Sequence, residues 1–289
     1  MKPKYALATR ICALAAFATL PLLPAVAAPP PAPAPAAPSA EESAKLRAIV
    51  ARGRLLFDLD RAAWVATDDF LKKVPDPAKG GFKGYVVDRA GEGFAVTFYS
   101  GEGDRLTARY VARVSGGRVT SSRILAAAEQ APLTPLQLRM AKARSVSPGS
   151  DYRPCTNAPF NAAIIPPASL DEPLEMYLTS AQTDSNVYPF GGHYLLSIAP
   201  DGRLLSVRKF TNSCLNMPAR PPGGNGTPVA LYINHLLDPI PTEIHVFFAR
   251  TARLPLMVGT RSNRVWEVTA DSIRPISMPT RPARRPRRS

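Results

Sequence analysis

The sequence predicts an α+β fold in which antiparallel strands outnumber helices. Apolar residues recur at helical spacing between residues 39 and 72, which indicates amphipathic helix. In most later segments they alternate with polar residues, at the spacing of half-buried strands. Because glycine-rich turns separate many of these segments, we expect consecutive strands to pair antiparallel.

The first 28 residues have the order of a secretory signal peptide. Lys2, Lys4 and Arg10 precede an apolar run over residues 11–23, and small residues follow at 25–27. The apolar run is shorter than the roughly 20 residues that cross a bilayer. We therefore predict a soluble mature protein, secreted or periplasmic, without a transmembrane segment.

A linker and an N-terminal α+β subdomain are predicted next. Residues 29–38, PPPAPAPAAP, are too rich in proline and alanine to form a core, so they should be extended. The subdomain covers residues 39–147 and begins with a helix at Ser39, which has capping-box spacing to Glu42. A second helix is expected over Ala62–Lys72.

The rest of this subdomain is predicted as an antiparallel meander followed by a helix. Strands with alternating apolar residues run through residues 94–99 and 106–113. Thr134 is a favourable N-cap and Pro135 a favourable first residue, so a further helix is expected from there to about Arg144.

A mainly antiparallel, β-rich subdomain is predicted over residues 150–278. Its hairpin at Pro200, Asp201 and Gly202 is the most clearly marked turn, because these residues favour reversal between two apolar strands. The predicted strands are 161–165, 174–179, 193–198, 204–210, 229–234, 243–248, 256–260 and 265–268.

The two cysteines of the mature chain are predicted to form a disulfide. Cys12 leaves with the signal peptide, so Cys155 and Cys214 remain, an even number in an oxidising compartment. The bond would close a loop of about 60 residues, for which chain entropy suggests a stabilisation of about 4 kcal/mol at most.

The positive charge of the chain is concentrated at its ends. The signal peptide holds three basic residues and the tail, residues 279–289, holds five, so about +6 of the formal +14 remains for the body. That value is ordinary for a soluble domain, and we predict no specific nucleic-acid binding. The tail is expected to be disordered, as a solvated extension or as an electrostatic contact with an anionic envelope polymer or membrane surface. Its arginines are Arg281, Arg284, Arg285, Arg287 and Arg288.

No complete catalytic motif is present. The chain has no GxSxG elbow, HExxH helix, P-loop or dinucleotide fingerprint. His193, His235 and His245 are the three histidines of the chain, and with Asp238 or Glu243 they would supply the nitrogen and oxygen ligands of a zinc ion. This group is the candidate metal or acid–base site, and no other cofactor is expected.

The alternation of side chains along a strand places the residues of this candidate group on different faces. If residues 243–248 form a strand, Ile244, Val246 and Phe248 face the core, while Glu243 and His245 share the opposite face. Those two residues could then share a metal or a proton, or they could form a solvated strand face. The outcome depends on whether the strands that carry the histidines are neighbours.

A cysteine nucleophile is a second catalytic hypothesis. His193 followed by Ser213 and Cys214 resembles, in outline, the cell-wall L,D-transpeptidases, and the resemblance covers only these residues. It departs from that family's motif, because no glycine precedes Cys214, no arginine lies two positions after it, and no glycine follows His193. A disulfide with Cys155 would also remove the thiolate that the reaction needs.

These observations favour an exported, non-enzymatic binding or envelope-associated module. The alternative is a periplasmic metal-dependent hydrolase that uses His193, His235 and His245.

Overall fold

A computed structural model describes residues 35–220, 226 and 228–277. The predicted signal peptide, most of the predicted linker and the five arginines of the tail lie outside these residues. The described chain belongs to one compact unit, and the boundary expected near residues 147–150 stays a prediction. The predicted α+β class with mainly antiparallel sheets is confirmed.

One long helix, α1 (Ala40–Lys73), opens the fold. Ser39 caps it by accepting a hydrogen bond from the Glu42 backbone N–H at 3.1 Å, as its spacing predicted. The second helix predicted over Ala62–Lys72 is the continuation of α1, so that prediction was wrong. No proline lies within the 34 residues and Gly53 alone does not end a helix, so nothing interrupts the backbone hydrogen bonds.

The predicted meander packs on the second half of α1. Its four strands pair antiparallel in chain order. Alternate β2 side chains face the helix, and the ring of Phe98 stacks on Phe70 of α1 with centroids 4.1 Å apart. The strands are β1 (Phe82–Ala90), β2 (Gly93–Ser100), β3 (Thr107–Ser115) and β4 (Arg118–Ile124).

Helix α2 (Pro135–Ala143) follows a short 3-10 turn at Ala127–Glu129. Thr134 caps α2 and Gln137 returns the capping-box hydrogen bond at 3.0 Å, which confirms the predicted start. The helix and the strands around it form the core that joins the first sheet to the second.

The second sheet is antiparallel, in the order β5-β6-β8-β9. The bounds of β5 and β6 are those predicted, and the Pro200–Gly202 hairpin joins β8 to β9 as expected. The sequence did not reveal β7 and β10, which pair over three residues beside this sheet. The strands are β5 (Asn161–Ile165), β6 (Leu174–Thr179), β7 (Val187–Pro189), β8 (Tyr194–Ile198), β9 (Leu204–Lys209) and β10 (Asn216–Pro218).

The third sheet contains the one parallel strand pair among the described strands. Strands β11 and β12 run parallel, and helix α3 (Glu243–Ala252) forms the crossover between them. Residues 243–248, predicted as a strand, are therefore the first turns of α3. The strands are β11 (Leu231–His235), β12 (Leu256–Thr260), β13 (Val265–Val268) and β14 (Ile273–Ile276).

Helix α3 is buried on nearly every side, which explains why its apolar residues have the spacing expected of a strand. Ile244, Val246, Phe247 and Phe248 are all buried, so no polar stripe marks a helical face. Helix α1 also passes very close to it. A Cβ at Gly53 would lie 2.6 Å from both the Glu243 carbonyl oxygen and the Val246 Cβ, so the crossing requires glycine on α1.

In residues 35–220 and 228–277, no helix combines the length and the apolar character needed to cross a membrane.

Candidate functional site

His193 is a structural histidine in the interior. The Ser180 backbone N–H can only donate, and it lies 3.2 Å from Nδ1, so Nδ1 is the acceptor. Nε2 therefore carries the hydrogen and donates it to the Pro189 carbonyl oxygen at 2.8 Å. The side chain has no exposed surface, and burial lowers its pKa to about 4. Both ring nitrogens are thus used by the backbone, with the imidazole neutral.

His245 closes the N-terminal end of α3. It is the third residue of the helix, and its Nδ1 accepts a hydrogen bond from the Thr242 backbone N–H at 2.8 Å. This is the role that Glu or Gln takes in a capping box. Burial, together with the positive charge that His235 can carry, lowers the pKa of His245 to about 3. The ring is therefore neutral under ordinary conditions.

His235 and Asp238 form a hydrogen-bonded pair beside His245. His235 Nε2 lies 2.8 Å from Asp238 Oδ2, and the His235 and His245 rings meet edge to face with centroids 4.6 Å apart. Arg208 Nη2 lies 3.1 Å from both Asp238 oxygens. The hydrogen bond from His235 and the charge of Arg208 lower the pKa of Asp238.

Glu243 is a buried carboxylate with several partners. It is 5% exposed and accepts a hydrogen bond from the Tyr177 hydroxyl at 2.8 Å. Arg52 Nε lies 3.8 Å away and Arg208 Nη1 lies 4.0 Å away. Burial and then the charge of Glu243 raise the pKa of Tyr177. Glu243 is also the first residue of α3, where the helix dipole favours a negative charge.

Arg52 of α1 forms hydrogen bonds with two side chains of the second sheet. Its guanidinium donates to the Tyr177 hydroxyl and to the Glu175 carboxylate. Tyr177 and Arg208 both pair with Leu195 of β8, so they lie in one cross-strand row on the sheet face toward α1 and α3. We call the whole set the polar cluster: Arg52, Glu175, Tyr177, Arg208, His235, Asp238, Glu243 and His245.

The structure thus places four of the five predicted candidates together. His235, Asp238, Glu243 and His245 belong to the polar cluster, whereas His193 does not hydrogen-bond to any of them. Its ring packs on Phe248, three residues beyond His245 on α3, with centroids 4.9 Å apart. Sequence analysis missed Arg52, Glu175, Tyr177 and Arg208. Strand parity could have placed Tyr177 and Arg208 on one face, but nothing in the sequence pointed to Arg52.

One nitrogen of each histidine in the polar cluster is hydrogen-bonded to a neighbouring protein group. Among the residues that the structure describes, no group of three or more His, Cys, Asp or Glu side chains could hold a metal ion. His235 Nε2 faces Asp238 and His245 Nδ1 faces the helix cap, so the two nitrogens are engaged with protein rather than directed at a common point.

Cys155 and Cys214 form a disulfide, as predicted, with Cα atoms 5.4 Å apart. Cys214 is therefore not a thiolate. The loop that carries His193 lies against the bond, and a Cβ at Gly191 would lie 2.7 Å from the Cys214 Cα and 3.0 Å from the Cys155 Sγ. Glycine lets this backbone approach the disulfide.

No protein-family model matches the chain, and no curated protein or solved structure matches it either.

Proposed function

We propose that this protein is an exported, non-enzymatic module that acts by binding. One observation carries the proposal: the titratable side chains of the polar cluster are paired with one another or with the backbone. A general base or a metal ligand needs a lone pair directed at substrate or metal, and pairing of this kind instead fixes the first turn of α3 against α1 and the second sheet.

Metal content and hydrolysis test the proposal against the hydrolase alternative, which the contact of the His235 and His245 rings favours. Purified mature protein should contain no stoichiometric zinc after dialysis against buffer with zinc added, and His235→Gln should change neither metal content nor hydrolysis of ester and amide substrates. About one zinc per chain that His235→Gln removes would overturn the proposal.

Export is supported by the disulfide, because such bonds persist in oxidising compartments. In a Gram-negative host, the full chain should accumulate in the periplasm with its N-terminus after residue 28 and with no thiol that reacts under denaturing, non-reducing conditions. A cytoplasmic chain that begins at Met1 and carries three reactive thiols would contradict export.

The tail is proposed to attach the module to an anionic envelope surface. The chain should sediment with vesicles that contain phosphatidylglycerol at low salt and dissociate as salt rises, because screening weakens such contacts. A chain that ends at Met278 keeps the charge of the body, so it is the matched control. Equal sedimentation of both chains would assign binding to the body and reject this role for the tail.

A further inference from the structure

A surface groove lies at the C-terminal end of α3, away from the polar cluster. It has a volume of about 380 Å³ and is formed by α1, the end of α3 and the turn between β13 and β14. We call it the arginine groove. Its walls include Phe57, Ala249, Leu254, Pro255, Arg250 and Arg253. Mostly apolar walls with a few polar groups, at this volume, are typical of small-molecule sites.

The charged residues that line the arginine groove are both cations. Arg250 is held in place, since Nη1 lies 3.3 Å from Asp271 and Nη2 lies 3.5 Å from Asp58, and its guanidinium lies over the Phe57 ring at 4.9 Å. Neither acid lines the groove. Arg253 is exposed and, within the described residues, has neither a hydrogen bond nor an ion pair. Its charge is therefore available to a ligand.

The backbone at Arg253 gives a second reason to single out this side chain. Arg253 ends α3 with φ 55° and ψ 33°, in the left-handed region. Glycine is the usual residue at such helix ends, and another residue there costs about 1 kcal/mol. An arginine at this position lowers stability slightly, and this arginine lines the groove.

A neighbouring groove shows what sets this one apart. It has a volume of about 370 Å³ and lies along α1 nearer its start, where Arg47 and Arg54 share the wall with Asp271. Arg54 Nε lies 3.6 Å from Asp271. That groove therefore has a carboxylate in its wall beside two arginines, whereas the charged residues that line the arginine groove are arginines alone.

We propose that the arginine groove binds a small amphiphile that carries a carboxylate or phosphate on a short apolar body. The apolar part lies against Phe57, Leu254 and Pro255, and the anion meets Arg253 at the edge. The C-terminal carbonyls of α3 present the negative end of the helix dipole, so the preference for an anion depends on the guanidinium groups. The proposal names a ligand class for the binding function above and rests on that function.

Titration calorimetry with three ten-carbon probes, each below its micelle concentration, tests the proposal. Decanoate and decyl phosphate should bind one per chain, about tenfold more tightly than decyltrimethylammonium, in line with one charge-assisted contact. Binding of decanoate but not decyl phosphate would indicate a carboxylate ligand. Binding of decyl phosphate but not decanoate would indicate a phosphate ligand. Equal binding of the cation would overturn the proposal.

Two variants and a control test whether the anion binds at the arginine groove. Arg253→Gln and Arg253→Gly should each weaken anion binding about tenfold, the second without strain at the helix end. Arg261→Gln removes an exposed arginine outside the groove and should change nothing. Unchanged binding in both Arg253 variants would refute the assignment. Zinc content is measured separately, so anion binding by a zinc-containing hydrolase would overturn only the proposed function.

Discussion

The two ends of helix α3 carry charge in opposite ways. Glu243 begins the helix and Arg253 follows its last residue, so each sign is favoured by the helix dipole. Glu243 is buried and bonded to Tyr177 with two arginines beside it, whereas Arg253 is exposed and, in the described part of the chain, unpaired. A buried charge must be paired, so pairing at Glu243 indicates structure. An unpaired cation at a concave surface is free to contact a ligand, as we propose for Arg253.

Mild acid is expected to give the largest effect, through two buried histidines, one of which lies in the first turn of α3 and the other of which packs against it. The pKa values of His193 and His245 are about 4 and 3, below the ordinary 6.5. Their contribution to the free energy of unfolding is complete above pH 6.5. It falls as the pH is lowered, because the unfolded chain takes up protons first, and it stops falling below about pH 3. At about pH 5 the loss is roughly 2 kcal/mol for each histidine.

Three carboxyl groups oppose this loss, because burial raises the pKa of Asp58, Asp60 and Asp88, and the largest of these shifts is at Asp60. Burial raises the pKa of Asp60 to about 6, so the folded chain takes up a proton at this carboxyl group at a higher pH than the unfolded chain does. This difference adds about 1 kcal/mol to the free energy of unfolding at pH 5. Urea unfolding should therefore show the protein about 3 kcal/mol less stable at pH 5 than at about pH 7.5. His245→Gln keeps a capping residue and removes one titrating group, so it should lose less. Equal stability of the wild type at both pH values would contradict the buried neutral histidines.

Removal of the buried carboxylate should have the next largest effect. Glu243→Ala takes the acceptor from Tyr177 and leaves Arg52 and Arg208 with one carboxylate each, Glu175 and Asp238. Because both arginines are partly exposed, we expect a loss of about 2 kcal/mol in urea unfolding, below the full penalty for a buried pair. Glu267→Ala breaks an ion pair with the exposed Arg274 and should cost less, because solvent screens the charge of that arginine. Equal losses of stability in the two variants would contradict the expectation that the buried Glu243 contributes more to stability than Glu267.

The smallest effect is expected at the exposed end, with the opposite sign. Arg253→Gly relieves the left-handed backbone and should raise the free energy of unfolding by about 0.5 kcal/mol, since the flexibility of glycine in the unfolded chain offsets part of the gain. Arg253→Gln keeps the strain and loses only the interaction of the cation with the helix dipole, so it should cost about 0.3 kcal/mol. A marked loss of stability in Arg253→Gln would show that Arg253 is structural and would remove the contrast between the two ends of α3.

Local patterns predicted much of the fold. The bounds of β5, β6, β12 and β13 match the predicted strands because each has flanking residues that favour turns or loops. Ser39 and Thr134 started helices for the reason that their spacing indicated. At residues 243–248 the apolar alternation was present, but burial on all sides made it uninformative. Thr242 with His245 at capping-box distance, after Pro241, was the signal for a helix start.

The candidate site was predicted only in part. Four acids and histidines close in sequence, His235, Asp238, Glu243 and His245, do lie together, but their partners come from distant segments. Tyr177 bonds to Glu243 across 66 residues, and Arg52 bonds to Tyr177 across 125. The pattern therefore located a group of polar residues correctly without showing that pairing had already occupied them.

By itself, the sequence determined the class of fold, most strands, the helix caps and the pairing of Cys155 with Cys214. These follow from spacing along the chain and from the number of cysteines, which are local or arithmetic properties. Only the tertiary structure decided that residues 243–248 are helical, that Glu243 is neutralised by partners and that Arg253 is not. Burial and charge pairing depend on which segments meet in space, and residue spacing does not record those contacts.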